Sequence, residues 1–359
     1  HPWIFSGALV TVPDYSNGEI VEVVTSDGVI IGYGFFSPES QITCRIFEFT
    51  SVQVSKFNTD YFAANIHRAS NLRNRFIDKK RTDCFRLIHA EGDFLPGLII
   101  DVYRKTAVVQ ALIMGVELML EDIADVLESL GYSNILVKNS GVNQVEGVCA
   151  GDYLLRGEET DRVEVMENSL RFIVDISGGQ KTGFFLDQRD NRELVRSLAQ
   201  GKSVLNAFCY TGGFSVYALA GGALSVHSVD ISASAIEMTD ENIKLNSGDS
   251  EKSFSEKADC FEYLREMEAD YFDMIILDPP AFVKHASGID KGARGYKDIN
   301  LNALRRIKKD SLLLTFSCSQ HVSQDLFRKI VFGAAADAGR NVRVLRQLSQ
   351  GSDHPVSIF

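Results

Sequence analysis

Short apolar runs alternate with amphipathic segments throughout the C-terminal half of the chain. The runs predict strands at Leu170–Ile176, Ser203–Phe208, Ser225–Val229, Phe272–Asp278, Leu312–Ser317 and Val342–Leu345. Apolar residues at helical spacing predict helices at Gln188–Ala199, Phe214–Leu219, Ala233–Leu245, Leu301–Lys308 and Asp325–Ala338. This alternation predicts an α/β, Rossmann-like domain: a doubly wound, mostly parallel sheet that binds its ligand at the carboxyl ends of the strands.

The N-terminal half has a different pattern. Short β signals fill residues 1–55, and Ser26-Asp27-Gly28 reads as a hairpin turn between Ile20–Val24 and Val29–Ile31. Residues 56–80 predict an amphipathic helix with a basic face. Residues 84–175 mix strands with a helix from Glu117 to Leu130, closed by Gly131. The prediction is a mostly-β domain (1–68), a small α+β domain (69–175) and the α/β domain (176–359).

Composition agrees with a soluble multidomain protein. The chain has 359 residues, of which 45% are hydrophobic and 24% charged. No apolar run approaches the ~20 residues that span a bilayer, so no membrane association is expected. The six cysteines form no CxxC pair, so neither a zinc site nor a disulfide framework is expected, and reduced cytoplasmic thiols are the default. Because the chain starts at His1 and ends in the apolar run Pro355–Phe359, we expect the native chain to continue beyond both ends.

The net charge of −11 argues by itself against a general nucleic-acid binder. The basic residues are unevenly spread, however. His67–Arg86 contains seven Lys and Arg residues against two acids, and Lys284–Lys309 contains eight against two. These runs are either solvated helix faces or anion-binding surfaces.

The turn after the Ser203–Phe208 strand predicts a cofactor site. The chain passes through Tyr210-Thr211-Gly212-Gly213 into a helix, and glycines let a ligand approach bare backbone N–H groups. Asp230 ends the next strand, where it can accept from ribose hydroxyls. Two glycines instead of three spaced ones disfavour a dinucleotide and favour a smaller adenosine ligand such as S-adenosylmethionine. Asp259 is either an acceptor for the adenine amino group or a helix N-cap.

Two further segments carry candidate chemistry. In Asp278-Pro279-Pro280-Ala281-Phe282, a rigid turn would aim a strand-end acid into the cleft. In Thr315-Phe-Ser-Cys-Ser-Gln-His321, Cys318 follows a central strand and can project towards Asp278. Cys209 is expected to pack in the cofactor turn. His321 could assist Cys318, although a solvated or hydrogen-bonded histidine is the favoured interpretation. The remaining cysteines are expected to be inert: Cys44, Cys84, Cys149 and Cys260.

Taken together, these motifs resemble the ribosomal large-subunit methyltransferase I family. The segments that carry the resemblance are His1–Gly7, Gln180–Arg189, Tyr210–Phe214, Asp278–Phe282, Arg294-Gly-Tyr-Lys297 and Thr315–Ser319. The resemblance implies an N-terminal PUA-like RNA-binding barrel, a central α+β domain and a class I methyltransferase domain. It implies S-adenosylmethionine as cofactor, RNA (large-subunit rRNA) as partner and possible homodimers.

The resemblance also implies roles for individual residues. The cofactor would be held by Phe208, Tyr210, Thr211, Gly212, Gly213, Asp230, Ile231, Asp259, Cys260, Asp278 and Pro279. RNA would be held by Lys181, Arg189, Phe282, Lys284, Arg294, Tyr296 and Lys297.

The activity implied is methylation of cytosine C5. A thiolate must first add to C6 before C5 can attack a methyl group, and Cys318 would be that nucleophile. Asp278 would hold the base at N3. Ala281 stands where many such enzymes carry a second cysteine, so the base that removes the C5 proton stays open. Methylation of another RNA atom (guanine N7 or an exocyclic amine) without a cysteine adduct is one alternative. A non-catalytic RNA-binding assembly factor is another.

Overall fold

A computed structural model describes residues 1–11, 14–141, 144–179, 181–247 and 251–358. Gln180, the first residue of one motif above, lies outside the described residues. The chain divides into two compact units. Unit 1 comprises residues 1–169, 174–189 and 350–359, and unit 2 comprises residues 170–173 and 190–349. No helix among the described residues is both long and apolar enough to cross a membrane.

The first sheet of unit 1 is an antiparallel four-stranded sheet. Its strands are β1 (Trp3–Phe5), β2 (Ile20–Val24), β3 (Ile30–Phe36) and β4 (Ile42–Glu48), in the order β1-β4-β3-β2. The predicted hairpin is confirmed, because β2 pairs antiparallel with β3 and Gly28 adopts φ +78° in the turn. The N-terminal mostly-β region is therefore built as the alternation of apolar residues predicts.

The second sheet of unit 1 contains five strands, flanked by three helices. The strands are β5 (Cys84–His89), β6 (Leu98–Tyr103), β7 (Thr106–Ala111), β8 (Asn134–Lys138) and β9 (Asp152–Arg156), in sequential order. The helices are α1 (Thr59–Phe76), α2 (Met114–Glu117) and α3 (Leu120–Ser129). Strands β10 (Arg162–Glu167) and β11 (Leu170–Asp175) follow and form a separate two-stranded sheet. The run predicted at Leu170–Ile176 is therefore a strand, but it is not part of the parallel sheet in which the sequence placed it. The helix predicted from Glu117 thus begins at Leu120 instead, after the short α2.

One hydrophobic core serves both sheets of unit 1. Phe35 and Phe47 from the first sheet pack in the same cluster as Ile66 of α1 and Ile100 of the second sheet. The predicted boundary between residues 68 and 69 falls inside helix α1, and the three predicted domain limits stay a prediction. A shared core of this kind explains why residues 1–169 form one compact unit.

Unit 2 is built on a five-stranded parallel sheet. Its strands are β12 (Ser203–Ala207), β13 (Ser225–Asp230), β14 (Ser253–Lys257), β15 (Met274–Leu277) and β16 (Leu312–Thr315), in the order β14-β13-β12-β15-β16. The helices are α4 (Arg189–Leu198), α5 (Gly213–Ala220), α6 (Ala233–Ser247), α7 (Cys260–Glu266), α8 (Ile289–Arg306) and α9 (Gln324–Asp337). The predicted doubly wound α/β sheet is confirmed, and the strand order reverses at β12, where ligands bind in such sheets.

The bounds of one helix and the existence of one strand were predicted wrongly in unit 2. Helix α8 begins at Ile289, twelve residues before the predicted start at Leu301. Gly292 and Gly295 lower the helix propensity of that stretch, so its local sequence does not signal a helix. The predicted strand Val342–Leu345 is not formed, although the structure describes these residues. Alternating apolar residues form a strand only beside a partner, and these residues pair with none of the described strands.

Buried ion pairs tie unit 1 together. Arg73 pairs with Asp93, Arg86 with Asp101, and Arg189 with Asp353. Arg189 donates to both Asp353 carboxylate oxygens, at 3.0 and 2.8 Å, and the Arg86 amide donates to Asp353 at 3.0 Å. A lone buried charge is costly, so each pair depends on both its members.

Replacing Asp353 with Ala should destabilise the protein by about 3–5 kcal/mol, because buried Arg189 loses its counter-charge. Urea unfolding monitored by circular dichroism measures this. The exposed Asp161→Ala is the matched control and should stay within about 0.5 kcal/mol of the parent. A loss of equal size in both variants would contradict the prediction.

The same ion pair predicts a pH dependence. Burial raises the pKa of Asp353, but His354 Nδ1, 3.1 Å away, and the Arg189 charge outweigh burial and lower that pKa below its ordinary value. The stabilisation is therefore complete above the unfolded pKa of ~3.9 and is lost as the pH falls below it towards the folded pKa. The difference in unfolding free energy between wild type and Asp353→Ala should shrink over that acid range.

Candidate active site

The turn between β12 and α5 has an unusual backbone. Phe208, Tyr210 and Gly212 adopt positive φ angles of 60°, 48° and 77°. A Cβ atom on Gly212 would lie 2.6 Å from Thr239 Cγ2, so only glycine fits there. Helix α6 therefore packs directly against the turn.

Helix α6 also satisfies the carbonyl groups of the turn. Thr239 Oγ1 donates to the Tyr210 carbonyl at 2.9 Å, and Asn242 Nδ2 donates to the Thr211 carbonyl at 2.9 Å. Sequence reasoning missed both residues. The available signal was two polar residues, three positions apart, on the buried side of an amphipathic helix.

Asp230 holds the turn from the neighbouring strand. One of its carboxylate oxygens accepts from the Tyr210 amide at 3.0 Å, and the other accepts from the Ser232 amide at 2.9 Å. Each carboxylate oxygen can accept a second hydrogen bond, so Asp230 retains acceptor capacity for a ribose hydroxyl. The next residue, Ile231, is 66% exposed and offers apolar surface beside that carboxylate.

The turn contains one buried polar atom, Thr211 Oγ1, that is placed to bind a polar group of a ligand. Thr211 is buried, and its Oγ1 has no hydrogen-bond partner among the residues that the structure describes. An unsatisfied buried hydroxyl costs about 1–3 kcal/mol, so a hydrogen bond from a bound polar group would remove that cost. Gly213 opens helix α5, and the N-terminus of a helix favours a carboxylate. The turn therefore fits an amino-acid-bearing adenosine such as S-adenosylmethionine.

Asp259 is a helix N-cap. Its Oδ1 accepts from the Phe261 and Glu262 amides at 2.7 and 3.3 Å, at the start of α7. The capping alternative is therefore confirmed. Contact with the adenine amino group stays a prediction, because one capping oxygen leaves the other available.

Two thiols near the turn are structural. Cys260 Sγ lies 3.2 Å from the Phe208 amide and 3.4 Å from the Val229 carbonyl, so it connects the residue after β12 with strand β13. Burial raises the pKa of Cys260 to about 12 and raises the pKa of Cys209 well above its usual value. Both thiols are therefore protonated at neutral pH and poor nucleophiles.

Cys318 differs from these two thiols, because it is exposed. Its Sγ lies 3.7 Å from the Pro279 carbonyl, so the structure brings the Cys318 loop against the turn that contains half-buried Asp278. Parallel strands β15 and β16 are adjacent, with Leu277 opposite Thr315, and the two loops leave the same edge of the sheet. His321 is exposed, as expected.

Two of the residues predicted to bind RNA are buried in this structure. Tyr296 has no exposed surface, and its ring packs 4.6 Å from Phe282. Arg189 is 4% exposed and pairs with Asp353 within unit 1. A buried side chain does not reach a phosphate or a base from solvent in this structure, and contact of these two residues with RNA stays a prediction.

The other predicted RNA contacts remain accessible in part. Lys284 and Arg294 are exposed, and half-exposed Lys297 forms an ion pair with Asp337 at 2.7 Å. Phe282 is half-buried. In unit 1, exposed Lys181 lies 4.6 Å above the Phe185 ring. Their contact with RNA stays a prediction.

Comparison with known proteins agrees with this geometry. The sequence model of an S-adenosylmethionine-dependent methyltransferase family matches residues 143–300, and that of a PUA-like domain matches residues 1–49. A ribosomal RNA large subunit methyltransferase I from Tolumonas auensis is 41% identical over 364 residues, covering 99% of this chain and 91% of the relative. One from Pseudoalteromonas atlantica is 41% identical over 362 residues, with the same coverage of both chains.

Among solved structures, SMU.776, a putative methyltransferase complexed with SAH, has a TM-score of 0.84 and 22% identity. The alignment covers 99% of this chain and 91% of that chain. The fold and the two family matches show that this chain is an S-adenosylmethionine-dependent methyltransferase with an N-terminal PUA-like domain. The geometry of the turn between β12 and α5 agrees with that class. The chain belongs to the ribosomal RNA large subunit methyltransferase I family, as the sequence motifs predict.

Replacing Gly212 with Ala should weaken S-adenosylmethionine binding at least about tenfold, because the new Cβ pushes α6 away from the turn. Isothermal titration calorimetry measures the dissociation constant. Gly201→Ala is the matched control, because Gly201 has a similar φ of +70° but open space around it. Its backbone strain should cost roughly 1–2 kcal/mol of stability without changing the dissociation constant. Equal affinities of the two variants would contradict this reading of the turn.

Proposed function

We propose that this protein methylates C5 of cytosine in large-subunit ribosomal RNA through a covalent adduct of Cys318. The observation that supports the proposal is the exposed Cys318 thiol, 3.7 Å from the backbone of the Asp278-Pro279 turn. The relatives described above carry a ribosomal RNA substrate in their names, and the PUA-like domain is typical of RNA binding. Because ribosomal RNA is the substrate, we place the activity in the cytoplasm.

Cys318 is the best candidate nucleophile of the six cysteines, all of which the structure describes. Cys44, Cys84, Cys209 and Cys260 are buried. Cys149 is exposed but belongs to unit 1, whereas the turn between β12 and α5 belongs to unit 2. Cys318 thus combines exposure with a place beyond the carboxyl end of β16, which is an edge strand of the described sheet and not the central strand that the sequence predicted.

The chemistry assigns each side chain a task. The Cys318 thiolate adds to C6 of cytosine, and the electrons of the C5–C6 double bond make C5 nucleophilic. Asp278 holds the base at N3 and stabilises its protonated form. S-adenosylmethionine supplies the methyl group. The C5 proton then leaves and the Cys318 bond to C6 breaks, which restores the aromatic base and the free enzyme. Ala281 provides no second thiol for that proton.

We assign the cofactor to the β12–α5 turn. The residues of the turn that would contact the cofactor are Tyr210, Thr211, Gly212 and Gly213. The adenosine part would contact Asp230 and Ile231. Phe208, Asp259, Cys260, Asp278 and Pro279 complete the set. The unpartnered Thr211 hydroxyl and the glycine that α6 packs against support this assignment.

Replacing Cys318 with Ala should reduce methyl transfer by roughly 1,000-fold or more, because C5 of cytosine is not nucleophilic without the adduct. The assay uses labelled S-adenosylmethionine and ribosomal RNA from a strain that lacks this gene. Mass spectrometry of digested nucleosides should find 5-methylcytidine. Cys149→Ser is the matched control and should retain wild-type activity.

A substrate RNA with 5-fluorocytidine tests the adduct directly. Fluorine cannot leave C5 as a proton does, so wild-type protein should form an RNA adduct stable to denaturing electrophoresis, attached at Cys318. Methylation at the wild-type rate by Cys318→Ala would contradict the covalent mechanism. N7-methylguanosine or an N-methylated base as the product would instead support the second reading of the sequence. Absence of cofactor binding would support a non-catalytic assembly factor.

Exposed Lys284 and Arg294 should contact RNA phosphates. The double variant Lys284→Gln/Arg294→Gln should bind RNA more weakly, and its plot of log affinity against log salt should be less steep by about one unit per lost contact. Filter binding over a range of salt concentrations measures both effects. Lys309→Gln is the control, since exposed Lys309 lies before β16 begins, at the sheet edge opposite Cys318. Equal salt slopes for all three proteins would contradict the assignment.

A further inference from the structure

We infer that Tyr296 is a positioning residue for Cys318, acting through the hydroxyl group of Ser319. The inference deepens the proposed function and rests on it, because it concerns how the nucleophile of that reaction is held. Sequence motifs pointed to Tyr296 as an RNA contact, whereas its burial points to a structural connection with the catalytic loops.

Ser319 is where three parts of unit 2 meet. It directly follows Cys318 and is 4% exposed. Its Oγ accepts from the Val283 amide at 3.1 Å and forms a second hydrogen bond, at 2.8 Å, with the Tyr296 hydroxyl. Val283 belongs to the loop that begins with Asp278. A single buried hydroxyl therefore joins the nucleophile loop, the Asp278 loop and helix α8.

Helix α8 reaches these loops because two of its residues are glycines. A Cβ atom on Gly292 would overlap Val283 Cγ2, and one on Gly295 would lie 3.2 Å from Phe282 Cδ2. The absence of these side chains lets the helix approach the loop closely. The Tyr296 ring then packs between Phe282, at 4.6 Å, and Phe327, at 5.5 Å, and its hydroxyl reaches Ser319.

This arrangement divides the Arg294-Gly-Tyr-Lys297 motif into two parts with different roles. Arg294 and Lys297 are exposed or half-exposed, whereas Gly295 and Tyr296 pack inward against the Asp278 loop. The exposed charges of Arg294 and Lys297 can attract a polyanion. Gly295 and Tyr296 instead support the loops that contain Asp278 and Cys318.

The connection matters because Cys318 lies three residues beyond the end of β16, outside the strand pairing of the described sheet. Cys318 Sγ lies 3.7 Å from the Pro279 carbonyl, on the second of the two joined loops. Attack on C6 requires the sulfur at near-bonding distance in one direction, and a shift of about 1 Å can cost about 100-fold in rate. Ser319 Oγ bonds both the Val283 amide and the Tyr296 hydroxyl. Through Ser319, the Tyr296 hydroxyl therefore holds the Cys318 loop and the Asp278 loop in place relative to helix α8.

The test compares Tyr296→Phe, Ser319→Ala and the double variant in the full chain. Tyr296→Phe removes only the hydroxyl and keeps the packed ring, so we expect kcat for methyl transfer to fall about 10- to 100-fold. The dissociation constant for S-adenosylmethionine should stay within about twofold, because the cofactor turn is untouched. Since both substitutions remove the same hydrogen bond, adding Tyr296→Phe to Ser319→Ala should lower kcat no further.

Alkylation by iodoacetamide tests the position of Cys318 without RNA. In both variants the freed loop should release the exposed thiol from its contact with the Pro279 carbonyl, so Cys318 should react at least about threefold faster. Mass spectrometry measures exposed Cys149 in the same sample as an internal standard, whose rate should not change. Tyr103→Phe is the matched control, because it removes another buried tyrosine hydrogen bond, 3.1 Å from Thr182 Oγ1 in unit 1. It should alter neither Cys318 alkylation nor kcat.

Unchanged alkylation of Cys318 in Tyr296→Phe and Ser319→Ala would overturn the inference, whatever the reaction catalysed. So would a multiplicative loss of kcat in the double variant, or an equal effect of Tyr103→Phe. Failure of the proposed function would be seen in a different measurement: the Cys318→Ala variant would methylate RNA at the wild-type rate. If Ser319→Ala does not fold, Tyr296→Phe alone decides, because a shift in Cys318 alkylation without a shift at Cys149 cannot come from general unfolding.

Discussion

Parallel pairing of β15 with β16 is the constraint on which the proposed chemistry depends. Leu277 lies opposite Thr315, so both strands end at the same level of the sheet. Asp278 follows one strand by a single residue, and Cys318 follows the other by three. A carboxylate and a thiol that are 40 positions apart in sequence thereby emerge at one edge, the edge where parallel sheets bind ligands.

Short buried polar groups then hold the loops at that edge. Ser319 joins the Cys318 loop to the Asp278 loop, Thr239 holds the cofactor turn, and Cys260 connects Phe208 with Val229. Backbone groups that leave a sheet without strand partners need hydrogen bonds from elsewhere. Small hydroxyl and thiol side chains supply them without filling the space that a cofactor and a base require.

In unit 1, the number of basic residues in a segment does not predict how many of them are exposed. The basic run from His67 to Arg86 divides in three dimensions: Arg68 and Arg75 are exposed, whereas Arg73 and Arg86 are paired with buried or nearly buried carboxylates. Arg189 behaves like the second group. Only the exposed members of such a run can meet an RNA backbone, so the count of Lys and Arg in a segment overstates its capacity for binding.

The sequence by itself determined the β–α alternation, the glycine turn after β12, Asp230 at the end of β13 and Cys318 beyond β16. These features follow from local periodicity and from the φ angles that glycine permits. Only the tertiary structure decided that α8 extends through Gly292 and Gly295, that Tyr296 and Arg189 are buried, and that residues 342–345, within the described range, form no strand. Each of these outcomes depends on which neighbour packs against the segment, and a neighbour distant in sequence leaves no local signal.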